Sequence, residues 1–176
     1  MFERKYLPEF VYGGIDGAVT TFAVVAGSIG ASLSSSVILI LGFANLIADG
    51  FSMAVSNYLS IKSQTELHRS HQGYKEFVKL GKHPWKTGLA TFLSFIIIGV
   101  IPLLSFVTAL VSKTINNNKF LYSFILTAIA LLLVGGIKGE VVKKHPIKAS
   151  LETLLIGGAA AILAFFVGYL IKSFVI

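Results

Sequence analysis

The sequence predicts an all-α membrane protein with five transmembrane helices. Of its 176 residues, 55% are hydrophobic and only 13% are charged, which is about half the charge of an ordinary soluble domain. Five apolar runs are each long enough to cross a hydrocarbon core of about 30 Å. They cover roughly residues 11–31, 37–61, 88–111, 120–137 and 151–171. Residues 1–176 are therefore interpreted as a single transmembrane domain embedded in the lipid bilayer.

The basic residues predict the orientation of this domain. Twelve of the fifteen lie in the N-terminus, the second connection and the fourth connection: Arg4, Lys5, Lys62, Arg69, Lys75, Lys79, Lys82, Lys86, Lys138, Lys143, Lys144 and Lys148. The remaining three are Lys113, Lys119 and Lys172. Because cytoplasmic connections are enriched in Lys and Arg, the N-terminus is predicted to be cytoplasmic and the C-terminus to lie outside. The net charge of +7 is thus a topology signal, and no nucleic-acid partner is predicted.

Several chemistries are excluded by composition. The chain contains no cysteine, which rules out disulfides, thiolate metal sites and iron–sulfur clusters. No small-residue cleavage site follows the charged N-terminus, so the first apolar run is interpreted as a retained span rather than a signal peptide. No Ser–His or Cys–His pair falls within a span, so the protein is predicted not to be an enzyme. No prosthetic group is predicted.

Local signals give further detail on the helices. The second span is predicted to continue as a helix beyond the membrane into the connection of residues 62–87, and a break is expected at Gly81–Pro84. Pro102 lies inside the third span and is expected to kink it. In the first span, Gly13 and Gly17 have the spacing that permits close approach of another helix.

Two carboxylates lie inside the predicted spans. Asp16 is in the first span, roughly 8 Å from its cytoplasmic end, and Asp49 is in the second span. A charged side chain at such depth costs several kcal/mol unless it is paired, and the spans contain no Lys or Arg to pair with it. A functional role is the default interpretation of intramembrane carboxylates, although a single Asp can also simply accept hydrogen bonds from Asn, Thr or Ser.

A stripe of ligand-type side chains runs along the second span. Asn45, Asp49, Met53 and Asn57 are spaced by four residues and therefore share one helical face. Met53 is about 12 Å deep, so it is predicted to meet Asp16 at similar depth. Oxygen ligands suit hard divalent cations, and a thioether favours a softer ion such as Fe²⁺, although a lone Met is more often core filler. Protons can replace a metal ion on two carboxylates, so a site that exchanges protons for a cation is predicted.

At these residues the sequence resembles the vacuolar iron transporter family, which includes yeast-type vacuolar iron/manganese carriers and nodulin-21-like proteins. The specific segments are DGAVTTFAVVAGSIGA in the first span and GFANLIADGFSMAVSNYLSIKSQTE in the second. Weaker matches are PWKTGLATFLSFIIIGVIPLL, GGIKGE and SLETLLIGGAAA. The resemblance extends over nearly the whole chain in collinear order.

The resemblance implies a homodimeric five-helix carrier that exports Fe²⁺, Mn²⁺ or both from the cytosol in exchange for protons. It assigns metal binding to Asp16 and Met53 and places Glu9 at a position that is often acidic, seven residues before Asp16. Asn45 stands where plant members have Glu, and Asp49 is predicted to supply the displaced charge. A homodimer with its axis near the first span would double the few ligands that each chain offers.

The chain is predicted to be a short form of the family. Plant-type members have a long, glutamate-rich cytoplasmic domain between the second and third spans, whereas this connection offers only a few candidate ligands. Glu66, His68 and His71 are candidates for metal capture, and a solvated basic helix end is the alternative interpretation. Glu152, which opens the last span, is a further candidate, with the alternatives that it caps a helix or pairs with Lys138, Lys143, Lys144 or Lys148.

Two function classes follow from the sequence. The first is a proton-coupled Fe²⁺/Mn²⁺ exporter in a prokaryotic inner membrane, or in a vacuole-type membrane if the source is eukaryotic. The second is a membrane assembly or scaffold subunit, in which Asp16 and Asp49 would pair with cationic residues of a partner protein.

Overall fold

The computed structural model describes residues 4–69, 82–111 and 113–175, and within these residues it consists of helices joined by short turns, with no β-strand. Among the described residues, a short 3₁₀ helix, Arg4–Tyr6, precedes six α-helices. These are α1 Leu7–Gly30, α2 Ser35–Arg69, α3 Pro84–Gly99, α4 Ile101–Ala109, α5 Lys113–Val141 and α6 Pro146–Val175. In α5, a non-helical backbone at Asn118 marks a kink near its start.

Four of these helices, α1, α2, α5 and α6, are each long and apolar enough to cross a membrane. The helices α3 and α4 pass the same test only together, as a bent pair, and five spans result when this pair is counted as one. The predicted all-α membrane fold is confirmed. The second span also continues as a helix to Arg69, as predicted. All four prolines lie in the first turn of a helix, where a missing N–H removes no helical hydrogen bond.

The third span is broken at Val100. The axes of α3 and α4 differ by 42° there, and Pro102 is at the start of α4. Proline has no N–H to donate, and its ring clashes with the carbonyl group four residues earlier, so the predicted kink is confirmed. The Ser123 hydroxyl donates a 2.6 Å hydrogen bond to the Pro102 carbonyl oxygen, which anchors the bend against α5.

The first span forms the centre of the bundle. The helix α1 contacts each of the other five α-helices that the structure describes, and about half of its membrane window is buried, against 17% for α6. Its glycines allow this central position, since a Cβ atom on Gly17 would lie 2.5 Å from the Phe95 carbonyl oxygen of α3. Gly13 also packs against α3, at Thr91 and Ser94. The predicted close approach at Gly13 and Gly17 is therefore present.

The basic segments that the structure describes lie at one end of the bundle. The Tyr6 hydroxyl accepts a hydrogen bond from the His83 N–H, which joins the start of α1 to the start of α3. Leu7 lines a cavity together with Glu140 and Lys143 of the fourth connection. At the opposite end, Lys172 donates to the Ser32 hydroxyl. The connections thus alternate between the two ends, while the assignment of the basic end to the cytoplasm stays a prediction.

Glycines in α6 differ sharply in their surroundings, which gives a matched test of the packing. A Cβ atom on Gly168 would collide with the Gly27 carbonyl oxygen of α1, whereas one on Gly158 would meet nothing within 4 Å. We expect Gly168→Ala to lower the free energy of unfolding by roughly 1–3 kcal/mol through overpacking. We expect Gly158→Ala to be neutral or to raise it by up to about 1 kcal/mol through helix propensity. Thermal unfolding in detergent, followed by circular dichroism, checks both, and equal shifts would contradict the α1–α6 packing.

Candidate metal pathway within the membrane

Asp16 and Asp49 are positioned by a shared neighbour in α3. Phe95 is fully buried and packs against the backbone of Gly17 in α1 and against Gly50 in α2. Because each glycine follows one of the two aspartates, Phe95 holds both aspartates at the same level of the bundle. Asp16 is close enough to Asp49 for the two negative charges to interact. The structure therefore places the two intramembrane carboxylates at one level of the bundle, within range of charge repulsion.

The ligand-type stripe of α2 lies on one partly exposed face of that helix. Asn45, Asp49, Met53 and Asn57 all have intermediate exposure, between the buried side and the open side of α2. Asn57 Nδ2 donates a 2.7 Å hydrogen bond to the Thr91 hydroxyl, which fixes the end of the stripe near α3. The Asn45 side-chain N–H group is buried and has no hydrogen-bond partner. Met53 lies one turn from Asp49, so a thioether and a carboxylate share this face.

Asp16 also opens onto a cavity of about 440 Å³ beside α1. The cavity is bounded by α1, α5 and α6, and its lining is apolar except for Asp16, Lys138 and the Tyr12 hydroxyl. Its residues are Pro8, Val11, Tyr12, Ile15, Asp16, Val19, Lys138, Val141, Val142 and Ile156. Asp16 thus lies at the level of Asp49 and also lines an accessible groove.

Glu9 has a partner that the sequence analysis missed. Its Oε1 atom is 2.5 Å from the Lys82 ammonium, and the residue is only 8% exposed. The Oε2 atom is buried without a hydrogen-bond partner. Glu9 is therefore half-satisfied by a lysine that lies 73 positions away in the chain, a separation at which no local sequence pattern reports a contact.

The structure describes the surroundings of only two of the candidate capture residues, Glu66 and Glu152. Glu66 is exposed near the end of α2, His68 belongs to the same helix, and His71 lies outside the described residues. Glu152 lies 3.7 Å from Lys138, so it forms the lysine pair that was its alternative role. Across residues 4–69, 82–111 and 113–175, no three His, Cys, Asp or Glu side chains are grouped as a metal cluster.

A polar stripe in α3 was also missed. Thr87, Thr91 and Ser94 are fully buried at a spacing of four and three residues, which puts them on one helical face. Thr91 receives the hydrogen bond from Asn57 and packs on Gly13. The signal was present in the sequence as three hydroxyl residues in an apolar run.

Comparison with known proteins decides the family. The family model described as VIT family matches residues 7–77 and 71–169. The chain belongs to the VIT family. The two matched segments meet at 71–77, within the connection where the long cytoplasmic domain of the plant-type proteins was predicted to be missing. The resemblance noted in the sequence is therefore confirmed.

Relatives within the VIT family cover nearly the whole chain. A "Vacuolar iron transporter" from Toxoplasma gondii is 27% identical over 95% of this chain and 74% of its own length. The "Vacuolar iron transporter homolog 4" of Arabidopsis thaliana is 30% identical over 88% of this chain and 77% of its own length. A "Vacuolar iron transporter" from Plasmodium falciparum is 24% identical over 97% of this chain and 84% of its own length.

Proposed function

We propose that this VIT family protein is a carrier that exports Fe²⁺, Mn²⁺ or both from the cytosol in exchange for protons. The observation that carries the proposal is the pair Asp16 and Asp49, which Phe95 holds at one level inside the membrane. Relatives named vacuolar iron transporter give the class of cargo. Met53 and Asn45 are the further ligands that we assign on the same face.

The carboxylate pair needs a cation that can leave. Two adjacent negative charges in a low-dielectric region repel each other and lose hydration, so they require neutralisation. Among the described residues, neither Asp16 nor Asp49 forms an ion pair with Lys, Arg or His. A divalent metal ion neutralises both carboxylates, and protons replace it on its release. Exchange of metal for protons follows from this chemistry.

We further propose that the functional unit is a homodimer. Asp16, Asp49, Met53 and Asn45 supply four ligand side chains, which is fewer than the octahedral shell that Mn²⁺ adopts with oxygen donors. The cavity next to Asp16 is open on the surface of a single chain, and a second copy related by a two-fold axis would close it and double the ligand set. The mass of the protein in mild detergent tests this proposal, and a strictly monomeric species would contradict it.

The basic end of the bundle is proposed to face the cytoplasm, in a prokaryotic inner membrane or a vacuole-type membrane. Five spans then put the C-terminus on the opposite side. A reporter enzyme that works only outside the cytoplasm is expected to be active when it is fused after residue 176. A cytoplasmic reading would overturn the proposed orientation.

Uptake into liposomes tests the proposed function. Purified protein is reconstituted, and uptake of Fe²⁺, Mn²⁺, Zn²⁺ and Ca²⁺ is measured with and without an imposed pH gradient. We expect uptake of Fe²⁺ or Mn²⁺ that accelerates when the lumen is acidic, and little uptake of Ca²⁺. Absence of uptake for every metal would contradict the carrier and would favour the assembly or scaffold subunit instead.

The sulfur of Met53 is expected to affect selectivity more than overall rate. Met53→Leu conserves volume and removes the thioether. Because the harder ion depends less on a sulfur ligand, we expect Fe²⁺ uptake to fall several-fold more than Mn²⁺ uptake. The ratio of the two rates in liposomes is the measurement. An unchanged ratio would assign Met53 to packing alone.

A further inference from the structure

The contact between Glu9 and Lys82 is the strongest feature that the proposed function leaves unexplained. Glu9 is the one buried carboxylate among the described residues that has a lysine within ion-pair distance. Only one of its oxygens is used, because Oε2 is buried and has no hydrogen-bond partner. A buried carboxylate oxygen without a donor is unfavourable, and it keeps the capacity to bind a cation.

Glu9 lies on the route from the basic end of the bundle to Asp16. The two residues are seven positions apart on α1, which is two helical turns and about 10 Å along nearly the same face. A cation that moves from that end towards Asp16 therefore passes the level of Glu9. The Lys82 ammonium occupies that level in this structure.

Lys82 is held in place by its neighbours. The adjacent residue, His83, donates its backbone N–H to the Tyr6 hydroxyl at 3.1 Å, and Tyr6 is 3% exposed. His83 has the extended backbone that precedes Pro84 at the start of α3. The segment that carries the lysine is thus fastened to the first turn of α1, while the lysine side chain itself remains 28% exposed.

We propose that Lys82 is a tethered cation which occupies Glu9 in the metal-free protein, and that a divalent metal ion displaces it before moving to Asp16. This inference rests on the proposed metal transport. A single positive charge neutralises Glu9, so the access route does not attract monovalent cations, and a divalent ion gains more from the same carboxylate. Displaced Lys82 moves its ammonium into water, which its partial exposure permits. The lysine therefore sets the metal concentration at which transport begins.

Substitution of Lys82 separates competition with the metal ion from a purely structural role in holding α3 against α1. Lys82→Met keeps the stem of the side chain and removes the charge, and Lys82→Arg keeps the charge as the matched control. We expect Lys82→Met to lower the metal concentration for half-maximal uptake into liposomes by about three- to ten-fold. Lys82→Arg should stay close to wild type. Binding of Mn²⁺ to the purified protein, measured by electron paramagnetic resonance, should tighten in the same order.

A double substitution identifies Glu9 as the carboxylate through which Lys82 acts. In a Glu9→Gln background, Lys82→Met should no longer change the half-saturating concentration, because the competition has been removed. An unchanged half-saturating concentration in Lys82→Met, or the same shift with and without Glu9, would overturn the inference. If Lys82→Met does not fold, Lys82→Gln gives the same comparison. Wild-type uptake at saturating metal is the reference: its absence contradicts the proposed function itself, whereas its presence with unaltered variants contradicts only the role of Lys82.

Discussion

Asp16→Asn is expected to reduce uptake of both Fe²⁺ and Mn²⁺ to the background of protein-free liposomes, a loss of at least about 100-fold. Asparagine keeps the shape of the side chain and removes its charge, so the metal ion loses one of its two neutralising carboxylates. The substituted side chain still lines the cavity beside α1, and the nearby Gly14 and Gly17 still pack on α3. Folding should therefore be preserved.

The control for Asp16→Asn removes a carboxylate elsewhere. Glu140 is exposed in the last turn of α5, so Glu140→Gln makes the same change in charge outside the proposed path and should leave uptake close to wild type. Size-exclusion profiles and thermal unfolding of both variants report on folding. Substantial uptake by well-folded Asp16→Asn protein would remove Asp16 from the path.

Asp49→Asn is expected to lower transport by about ten-fold or more, and to leave the protein equally or more stable. The expected gain in stability arises because the charge repulsion with Asp16 and the cost of placing a carboxylate in the membrane are both removed. A loss of transport together with unchanged or higher stability is the result expected for a functional carboxylate and not for a structural one. A lower unfolding temperature with unchanged uptake would show that Asp49 serves packing and hydrogen bonding instead.

If the protein were an assembly or scaffold subunit, Asp49→Asn would have a different effect. If Asp49 paired with a partner protein, its replacement would weaken a complex and would not alter transport by the isolated chain. Uptake by the purified protein alone, compared between wild type and Asp49→Asn, therefore separates the two classes. We expect the wild type to transport without any partner.

Periodicity predicted what lies along each helix. Apolar runs of membrane length gave the spans, and the fourfold spacing from Asn45 to Asn57 placed the ligand-type residues on one face of α2, where all have similar partial exposure. Pro102 gave the bend because its effect on the backbone is local. The fixed rise per residue of a helix predicted Asp16 at the depth of Met53, one turn from Asp49. In the structure Phe95 contacts both Gly17 and Gly50, which puts Asp16 at the level of Asp49 instead.

Lateral packing could not be predicted in the same way. In a membrane, residues that face lipid and residues that face other helices are both apolar, so hydrophobicity does not tell them apart. Phe95 contacts both Gly17 and Gly50. In the sequence it is one of several phenylalanines in an apolar run, and no local pattern distinguishes it. The sequence around Lys82 shows only a basic connection. It does not indicate the contact with Glu9, because that contact depends on how α1 and α3 meet.

The central claim is that metal and protons exchange on the carboxylates of Asp16 and Asp49, and simultaneous recording of both fluxes tests it most directly. Reconstituted liposomes are loaded with a pH-sensitive dye, and Fe²⁺ is added outside without any imposed pH gradient. We predict that metal uptake makes the lumen more alkaline at a fixed ratio of protons to metal, and that Asp16→Asn abolishes both signals together. Metal uptake with no change in luminal pH, once charge movement is compensated by an ionophore for potassium, would contradict the account.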